Sequence, residues 1–251
     1  MILVLAGTSE GRAMARSLEM EGRRVMASTV TAYGRELLRR HFKGEILSGP
    51  LDLGRLLEVI QEKGIDKIID ATHPHAAEIK ALAVEACRRA GIVYERLERD
   101  GYAPELNQGV ILVHSAAAAA DLASSFSGNI FLTVGSKSLE TYVEKIDPAR
   151  LVVRVLPLLE SLEKCLRLGI MPEHIIAMQG PFAYELERIL YRRYRAEVIV
   201  AKESGPAGGT PDKIKAAIDL GLPAILIARP GRQPVLQPGA VRNHWRYNRS
   251  E

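Results

Sequence analysis

Short apolar runs of strand length alternate with segments of helical periodicity along the whole 251-residue chain. A strand that is apolar at every position is typical of a sheet buried on both faces, and helices between such strands supply the cover. Eleven runs have this character, namely ILVLAG, RVMAST, GEILSG, KIIDAT, VYERLE, VILVHS, NIFLTVG, LVVRVL, HIIAMQ, EVIVAKES and AILIARP. The alternation predicts an α/β fold built on doubly wound parallel sheets.

The segments between the strands have the features of amphipathic helices. Apolar residues recur on one helical face in three of them, and a glycine, which favours the left-handed conformation at a helix end, follows five. The apolar stripes are Leu53, Leu56, Leu57 and Ile60; Ile79, Leu82, Ala83 and Ala86; and Phe182, Leu186, Ile189 and Leu190; the glycines are Gly22, Gly64, Gly91, Gly169 and Gly221. Cys87 and Cys165 fall in helical patterns, and we expect both to be buried thiols.

Eleven strands are many for one sheet, so we expect two Rossmann-like domains with a cleft between them. The longest polar stretch without periodicity is RDGYAPELNQG, at residues 99 to 109. It predicts a domain boundary, with a first domain at residues 1–99 and a second at residues 109–251. In open parallel sheets, ligands bind beside the carboxyl ends of the strands, so residues that directly follow a strand are the candidates for function.

Composition excludes several classes of function. No run approaches the roughly 18 apolar residues of a membrane span, and MILVLAG lacks the basic start of a signal peptide, so we expect a cytoplasmic protein without membrane contacts. The formal net charge is +4, but only 5% of residues are aromatic. Nucleic acid is therefore not an expected partner, whereas an anionic small molecule fits the basic excess. The sequence does not distinguish a monomer from a small homo-oligomer.

The first strand ends in a turn that can hold a phosphate. Gly7 and Gly11 bracket Thr8 and Ser9 at the start of a helix, whose free amides and dipole attract anions. The spacing is G-x-x-x-G rather than the G-x-G-x-x-G of dinucleotide-binding folds. A tight turn without a ligand explains the same residues nearly as well.

The second strand predicts which nicotinamide cofactor would bind. Folds that select NAD usually carry an acidic residue there, to hold the ribose hydroxyls. Here Ser28 and Thr29 end the strand, with Arg35 a few residues on. This arrangement would accept a 2′-phosphate and favours NADPH over NADH, although a polar helix cap is compatible with the same residues.

The fourth strand runs into Asp70, Thr72, His73, Pro74 and His75. Proline between the histidines opposes the strand geometry that would place both on one face, and no cysteine or carboxylate cluster completes a zinc site, so we expect no metal. Pro74 suits the first turn of a helix, which Thr72 or His73 would cap. Histidine is a poor cap, so a ligand-facing His73 is the preferred interpretation.

Three further turns follow strands in the second half. One carries Lys137 and another Lys202, which together would give the cleft positive charge; lysines that merely extend from sheet ends into solvent are the alternative. The third opens a helix with a glycine and a proline. The residues concerned are Gly135, Ser136 and Lys137; Gln179, Gly180 and Pro181; and Lys202, Glu203, Ser204 and Gly205.

The sequence contains none of the common nucleophile motifs, such as a G-x-S-x-G elbow or a cysteine in a turn. Hydride transfer fits this absence, because the cofactor carries that chemistry. Two alternatives stay open: a non-catalytic two-lobed protein that binds an anionic ligand, and a Rossmann-type group transferase in which Asp70 serves as a base or metal ligand.

Four stretches in order, LVLAGTSEGRAMA, IIDATHPHAAEI followed by YERLER, GPFAYELE and AKESGPAGGTPDKI, resemble the precorrin-6A reductase family of cobalamin biosynthesis. The resemblance runs from the first strand to AILIARP. It implies two Rossmann-like domains with the active site between them. It also implies that a reduced nicotinamide cofactor reduces one double bond of precorrin-6A, or its cobalt complex, to give precorrin-6B.

The resemblance also implies roles for individual residues. Gly7, Thr8 and Glu10 match the family's opening turn; Asp70, Ala71, Thr72, His73 and Pro74 match its DATHP signature; and Lys202, Ser204 and Gly205 match its lysine-serine-glycine turn. His75 stands where the family usually has phenylalanine, so we assign it no essential role and expect it to be of local importance. Pro206 stands where a second glycine is common, which leaves the path of that loop open.

These matches define the predicted site. We expect the cofactor to contact Gly7, Thr8, Ser9, Glu10, Gly11, Ser28, Thr29, Arg35, Thr72, His73 and Pro74. The anionic tetrapyrrole, with its carboxylate arms, is expected mainly in the second domain, at Gly135, Ser136, Lys137, Gln179, Gly180, Pro181, Lys202, Ser204 and Gly205. His73 is the candidate catalytic residue, as an orienting group or proton source.

Overall fold

The computed structural model describes residues 1–97 and 109–229, which contain eleven β-strands and nine α-helices. The strands are β1 (Ile2–Leu5), β2 (Val25–Thr29), β3 (Glu45–Ser48), β4 (Lys67–Asp70), β5 (Val93–Arg96), β6 (Val110–Val113), β7 (Asn129–Thr133), β8 (Leu151–Val155), β9 (Ile175–Ala177), β10 (Ala196–Lys202) and β11 (Ala224–Ile227). The helices are α1 (Ser9–Met20), α2 (Ala32–Arg39), α3 (Leu53–Lys63), α4 (Ala77–Ala90), α5 (Ala116–Ser124), α6 (Leu139–Val143), α7 (Leu159–Arg167), α8 (Tyr184–Arg193) and α9 (Thr210–Asp219).

The strands form two separate parallel sheets. The first has the order β3-β2-β1-β4-β5 and the second the order β6-β11-β10-β7-β8-β9. The chain order reverses between β1 and β4 in the first sheet and between β7 and β10 in the second. Such a reversal is where an open parallel sheet leaves a crevice at the carboxyl ends of its strands.

Helices cover both faces of each sheet. In the first sheet, alternate residues of β1 face opposite cores: Leu3 and Leu5 pack towards α3 and α4, whereas Ile2 and Val4 pack towards α1 and α2. The second sheet is divided in the same way. Its two cores pack against α5, α6 and α7 on one face and against α8 and α9 on the other.

The predicted α/β architecture with two doubly wound parallel-sheet domains is confirmed. Each of the eleven apolar runs coincides with one of the strands, with β10 beginning one residue before its run, and the five helix-ending glycines all have a positive φ, between 61° and 75°. Cys87 and Cys165 are buried in α4 and α7. The predicted boundary lies outside the described residues except for Gly109, so the domain limits stay a prediction.

The third predicted apolar stripe, from Phe182 to Leu190, is only partly correct. Phe182 precedes α8, and Ile189 on that helix is 62% exposed. Phe182 instead packs against the guanidinium of Arg154, 4.4 Å from its ring centre. Arg154 forms a buried two-pronged ion pair with Glu187 of α8, at 2.7 and 2.8 Å. The side of α8 that faces the sheet is therefore partly polar, which a search for apolar periodicity does not detect.

Within residues 1–97 and 109–229, the helices are too short or too polar to traverse a lipid bilayer.

Candidate active site

The turn after β1 is tied to the turn after β4. The Thr8 hydroxyl donates to the carbonyl of Ala71 at 2.7 Å and accepts from the Gly11 amide at 3.2 Å, so it both caps α1 and joins two turns. A Cβ on Gly11 would lie 2.8 Å from Ala6 Cα and 3.0 Å from Ala71 Cβ, so only glycine lets α1 approach this closely. Gly7 is exposed at the helix N-terminus, as an anion site requires.

The remaining cofactor candidates of the first domain differ in exposure. Ser9 is exposed and donates to the Glu10 carboxylate at 2.8 Å. Ser28 and Thr29 are each only 6% exposed, and the Thr29 hydroxyl lies beneath Gly34 at the start of α2. Arg35 is exposed on α2. No carboxylate follows β2 before Glu36.

Asp70, at the end of β4, is completely buried and has several hydrogen-bond partners. Its carboxylate accepts from the Thr72 amide at 2.9 Å, the Thr72 hydroxyl at 2.7 Å and the Tyr94 hydroxyl at 2.8 Å, and it pairs with Arg96. Burial alone would raise the pKa of Asp70, but these hydrogen bonds and the Arg96 charge outweigh it, so the pKa lies below its ordinary value. Asp70 therefore shapes the turn as an anion.

Residues 73–76 form a turn rather than the start of a helix. The Ala76 amide donates to the His73 carbonyl at 2.8 Å, and Pro74 is the second residue of this turn, a position that proline favours. The helix begins at Ala77, and Ala76 caps it without a side-chain hydrogen bond. The predicted cap by Thr72 or His73 is thus wrong, because Asp70 accepts the Thr72 hydroxyl and the turn intervenes.

The two predicted lysines follow β7 and β10, which are neighbours in the second sheet. Burial lowers the pKa of Lys202, and the charge of Lys137 lowers it further. Lys137 is exposed, whereas Lys202 is half-buried. Neither lysine has an ion-pair partner in the part of the chain that the structure describes. Ser136 contacts Ser161 at 3.1 Å between the hydroxyl oxygens, which fixes the turn after β7 to α7.

The loop after β10 is held by its own residues. Gly205 has a φ of +72°, and Pro206 opens a short 3₁₀ turn, so the proline that replaces the expected glycine is accommodated in the loop. Ser204 is buried; its amide donates to the Thr210 hydroxyl at 3.0 Å, and the two hydroxyl oxygens are also 3.0 Å apart. The Ser204 hydroxyl thus supports the loop, and its contact with substrate stays a prediction.

Among residues 1–97 and 109–229, two hydrogen bonds join the carboxyl edges of the two sheets. His75, after β4, contacts the Glu203 carbonyl, after β10, at 3.0 Å. The Tyr33 hydroxyl, on α2 beyond β2, donates to the Gln179 side chain, after β9. β10 and β9 are three strand spacings apart, so roughly 14 Å of sheet edge separates these contacts. His75 therefore contacts the other sheet as well as its own turn, and its importance stays a prediction.

The sequence reasoning missed several residues that support this arrangement. Tyr94 and Arg96 lie on β5, where Arg96 is the direct register partner of Asp70. Thr210 begins α9, and Tyr33 lies on α2. The charged sequence YERLE after a buried acid was the available signal for Arg96. Contacts such as Tyr33 with Gln179, 146 residues apart, leave no local signal.

A groove of about 360 Å³ also opens on the first domain, between α1 and the end of α2. Arg12, Arg16, Met20, His41 and Phe42 are among its lining residues, and none of the lining residues comes from the second sheet. The groove therefore lies within the first domain, and Ser9 at the start of α1 also lines it. No group of three or more His, Cys, Asp or Glu side chains able to hold a metal occurs among the described residues.

Comparison with known proteins gives consistent matches over nearly the whole chain. The sequence profile of the family described as "Precorrin-6x reductase CbiJ/CobK" matches residues 1–245. The chain is 42% identical over 234 residues to a cobalt-precorrin-6A reductase of Priestia megaterium, covering 92% of this chain and 91% of that protein. It is 40% identical over 233 residues to a cobalt-precorrin-6A reductase of Methanothermobacter thermautotrophicus, covering 91% and 76%.

A solved structure shows the same fold. The structure titled "CobK precorrin-6A reductase" superposes with a TM-score of 0.75 at 26% sequence identity, covering 93% of this chain and 89% of that one.

Proposed function

Since the chain belongs to the precorrin-6x reductase family, we propose that it transfers a hydride from NADPH to cobalt-precorrin-6A. Membership makes the protein an NAD(P)H-dependent oxidoreductase of cobalamin biosynthesis, rather than the carrier or the group transferase considered from the sequence. The proposal concerns the choice of cofactor, the form of the substrate and the residues that bind each.

The hydrogen bond from Thr8 to the Ala71 carbonyl carries the proposal for the cofactor site. It places the N-terminus of α1 beside the DATHP turn, in the crevice where the strand order reverses. Free helix amides there suit the cofactor pyrophosphate. The lack of a carboxylate directly after β2 and the exposed Arg35 support NADPH, with its 2′-phosphate, over NADH.

The lysines at the ends of β7 and β10 support an anionic substrate in the second domain. Burial and the nearby charge of Lys137 both lower the pKa of Lys202, and a carboxylate bound beside Lys202 would favour its charged form. The roughly 14 Å of edge between the two inter-domain contacts gives space for a macrocycle along the strand ends. Acetate and propionate arms would then receive charge-assisted hydrogen bonds.

Reduction of one carbon–carbon double bond requires a hydride at one carbon and a proton at the other. The bound cofactor supplies the hydride. His73 is the proposed orienting group or proton source: its Nδ1 accepts the His75 amide at 3.3 Å, which leaves Nε2 as the ring nitrogen that can face a ligand. Solvent is the other source of this proton.

An anaerobic assay tests the proposal. The purified protein is mixed with NADPH or NADH and with precorrin-6A, with and without cobalt, and absorbance of the conjugated chromophore is followed. We expect loss of the chromophore with stoichiometric NADPH oxidation, faster with the cobalt complex. Equal rates with both cofactors would refute the choice of NADPH, and no reduction of either macrocycle would refute the substrate.

A further inference from the structure

One inter-domain contact lies next to the proposed substrate lysine. His75 Nε2 lies 3.0 Å from the carbonyl oxygen of Glu203, 128 residues away in the other sheet. A carbonyl oxygen only accepts, so the imidazole donates and Nε2 carries the hydrogen. The contact thus connects the turn after β4 with the strand end that presents Lys202.

The His75 ring is held in place on its own side. The His75 amide donates to His73 Nδ1 at 3.3 Å, and the two ring centres are 5.6 Å apart. Burial lowers the pKa of His75, the Glu203 hydrogen bond and carboxylate raise it, and the charges of Lys202 and Arg229 lower it, with a net decrease. The ring is therefore a neutral donor at pH 7.

The peptide group between Glu203 and Ser204, which accepts the His75 hydrogen bond, is fixed at both ends. His75 holds the carbonyl of Glu203, and the Thr210 hydroxyl accepts the amide of Ser204 at 3.0 Å. The Glu203 side chain is buried and pairs with Arg229 at 2.5 Å, which anchors the same residue to the end of β11. Of these restraints, only the His75 hydrogen bond comes from the first domain.

We propose that His75 is a positioning residue that holds Lys202 in register with the cofactor-side turn of Thr72 and His73. The inference rests on the proposed function, since it assumes that hydride donor and tetrapyrrole bind on opposite sides of this contact. Reactions between two bound molecules are sensitive to the relative placement of those molecules, and a 1 Å displacement can lower a rate by about 100-fold. One hydrogen bond between the domains can therefore determine the rate without touching either ligand.

The test compares variants that remove or retain the donor. His75→Phe keeps a ring and loses the N–H, His75→Ala removes the ring, and His75→Gln keeps a side-chain N–H. For the first two we expect kcat/KM for cobalt-precorrin-6A to fall roughly 10- to 100-fold, with the Kd of NADPH within about twofold of the wild type. His75→Gln should recover most of the loss. His41→Phe, at an exposed histidine beyond α2, is the matched control.

Hydrogen exchange supplies a readout that does not depend on activity. The backbone amides of residues 202–205 should exchange faster in His75→Phe and His75→Ala than in the wild type, whereas His75→Gln should resemble the wild type. Unchanged exchange, or unchanged kcat/KM in His75→Phe, would overturn the inference, as would a His75→Gln variant as impaired as His75→Phe. A wild type that reduces no tetrapyrrole would refute the proposed function alone, since the exchange measurement still decides whether His75 restrains this loop.

Discussion

The hydroxyl of Thr8 and the carbonyl of Ala71 are joined by a 2.7 Å hydrogen bond across the point where the strand order of the first sheet reverses. The same hydroxyl caps α1 by accepting the Gly11 amide. One side chain thus sets both the position of the helix N-terminus and its distance from the DATHP turn. The proposed pyrophosphate site depends on both.

Replacing Thr8 by valine should therefore weaken both the fold and the binding of the cofactor. Loss of the cap costs about 0.5–2 kcal/mol of stability, while the Kd of NADPH should rise at least about tenfold because the helix amides lose their fixed orientation. Fluorescence titration measures the Kd and chemical denaturation the stability. The control is Ser115, whose hydroxyl caps α5 by accepting the Ala118 amide at 3.1 Å. Ser115→Ala removes this cap and should lower stability without changing the Kd of NADPH. Equal Kd values for Thr8→Val and the wild type would contradict this role.

A second prediction concerns the close packing at Gly11. In Gly11→Ala the new methyl would meet the backbone of Ala6, which cannot rotate away, so α1 must shift. We expect a loss of about 1–3 kcal/mol in the free energy of unfolding and weaker NADPH binding. Gly54→Ala is the control: the nearest atom to its Cβ is an Asp52 oxygen at 3.5 Å, and alanine should stabilise α3 by about 0.5–1 kcal/mol. If the two variants were equally stable, the tight contact at Gly11 would have no energetic consequence.

The strands and the positions of the turns were predictable because local patterns determine them. Apolar runs such as ILVL and KIID are buried on both faces, and glycines such as Gly64 adopt the positive φ that ends a helix. The start of α4 was mispredicted because Thr72 donates its hydroxyl to Asp70 instead of capping the helix. Arg96 also pairs with Asp70, a contact that requires β5 to lie beside β4.

The functions of the site residues were less predictable than their location. The sequence placed Lys137 and Lys202 at strand ends. The effect of the Lys137 charge on the pKa of Lys202 follows from the strand order of the second sheet, in which β7 and β10 are neighbours. The bridge from His75 to Glu203 joins two sheets whose relative placement no local motif encodes. Contacts between distant segments are therefore what the sequence reasoning lacked.

Asp70 should be a structural anion whose loss destabilises the first domain. Asp70→Asn leaves Arg96 without its buried partner, which we expect to cost about 3 kcal/mol at pH 7. Because the folded pKa of Asp70 is lowered, its stabilising effect is fully present above about pH 4 and is lost as the pH falls through the folded value. Denaturant titrations of both proteins from pH 7 to pH 2.5 measure this difference.

Asp66→Asn is the matched control, since Asp66 pairs with the N-terminal amine at 2.8 Å but has a largely exposed side chain. It should cost less than about 1 kcal/mol. A stability difference between the wild type and Asp70→Asn that stays constant down to pH 2.5 would show that the carboxylate charge is unimportant.

Lys202 should bind the substrate and not the cofactor. Lys202→Ala is expected to raise the KM for the tetrapyrrole more than about tenfold, the usual scale for loss of a charge-assisted contact, with the Kd of NADPH nearly unchanged. Steady-state kinetics with varied substrate, together with cofactor titration, separate the two constants. Lys80→Ala, at an exposed site on α4, should alter neither. An unchanged KM would remove Lys202 from the substrate site.

The effect of the Lys137 charge on the pKa of Lys202 predicts a specific change in the pH dependence of kcat/KM. Burial and the Lys137 charge both lower the pKa of Lys202, so substrate binding should weaken as the pH rises through a value below that of an ordinary lysine. Lys137→Met removes one of the two causes. The alkaline limb of the kcat/KM profile should therefore move to higher pH in this variant, even though its KM at pH 7 increases through loss of a positive charge. Lys145→Met, on an exposed lysine that pairs with Asp121, should leave the limb in place. An alkaline limb that does not move in Lys137→Met would mean that Lys202 is not the group that titrates.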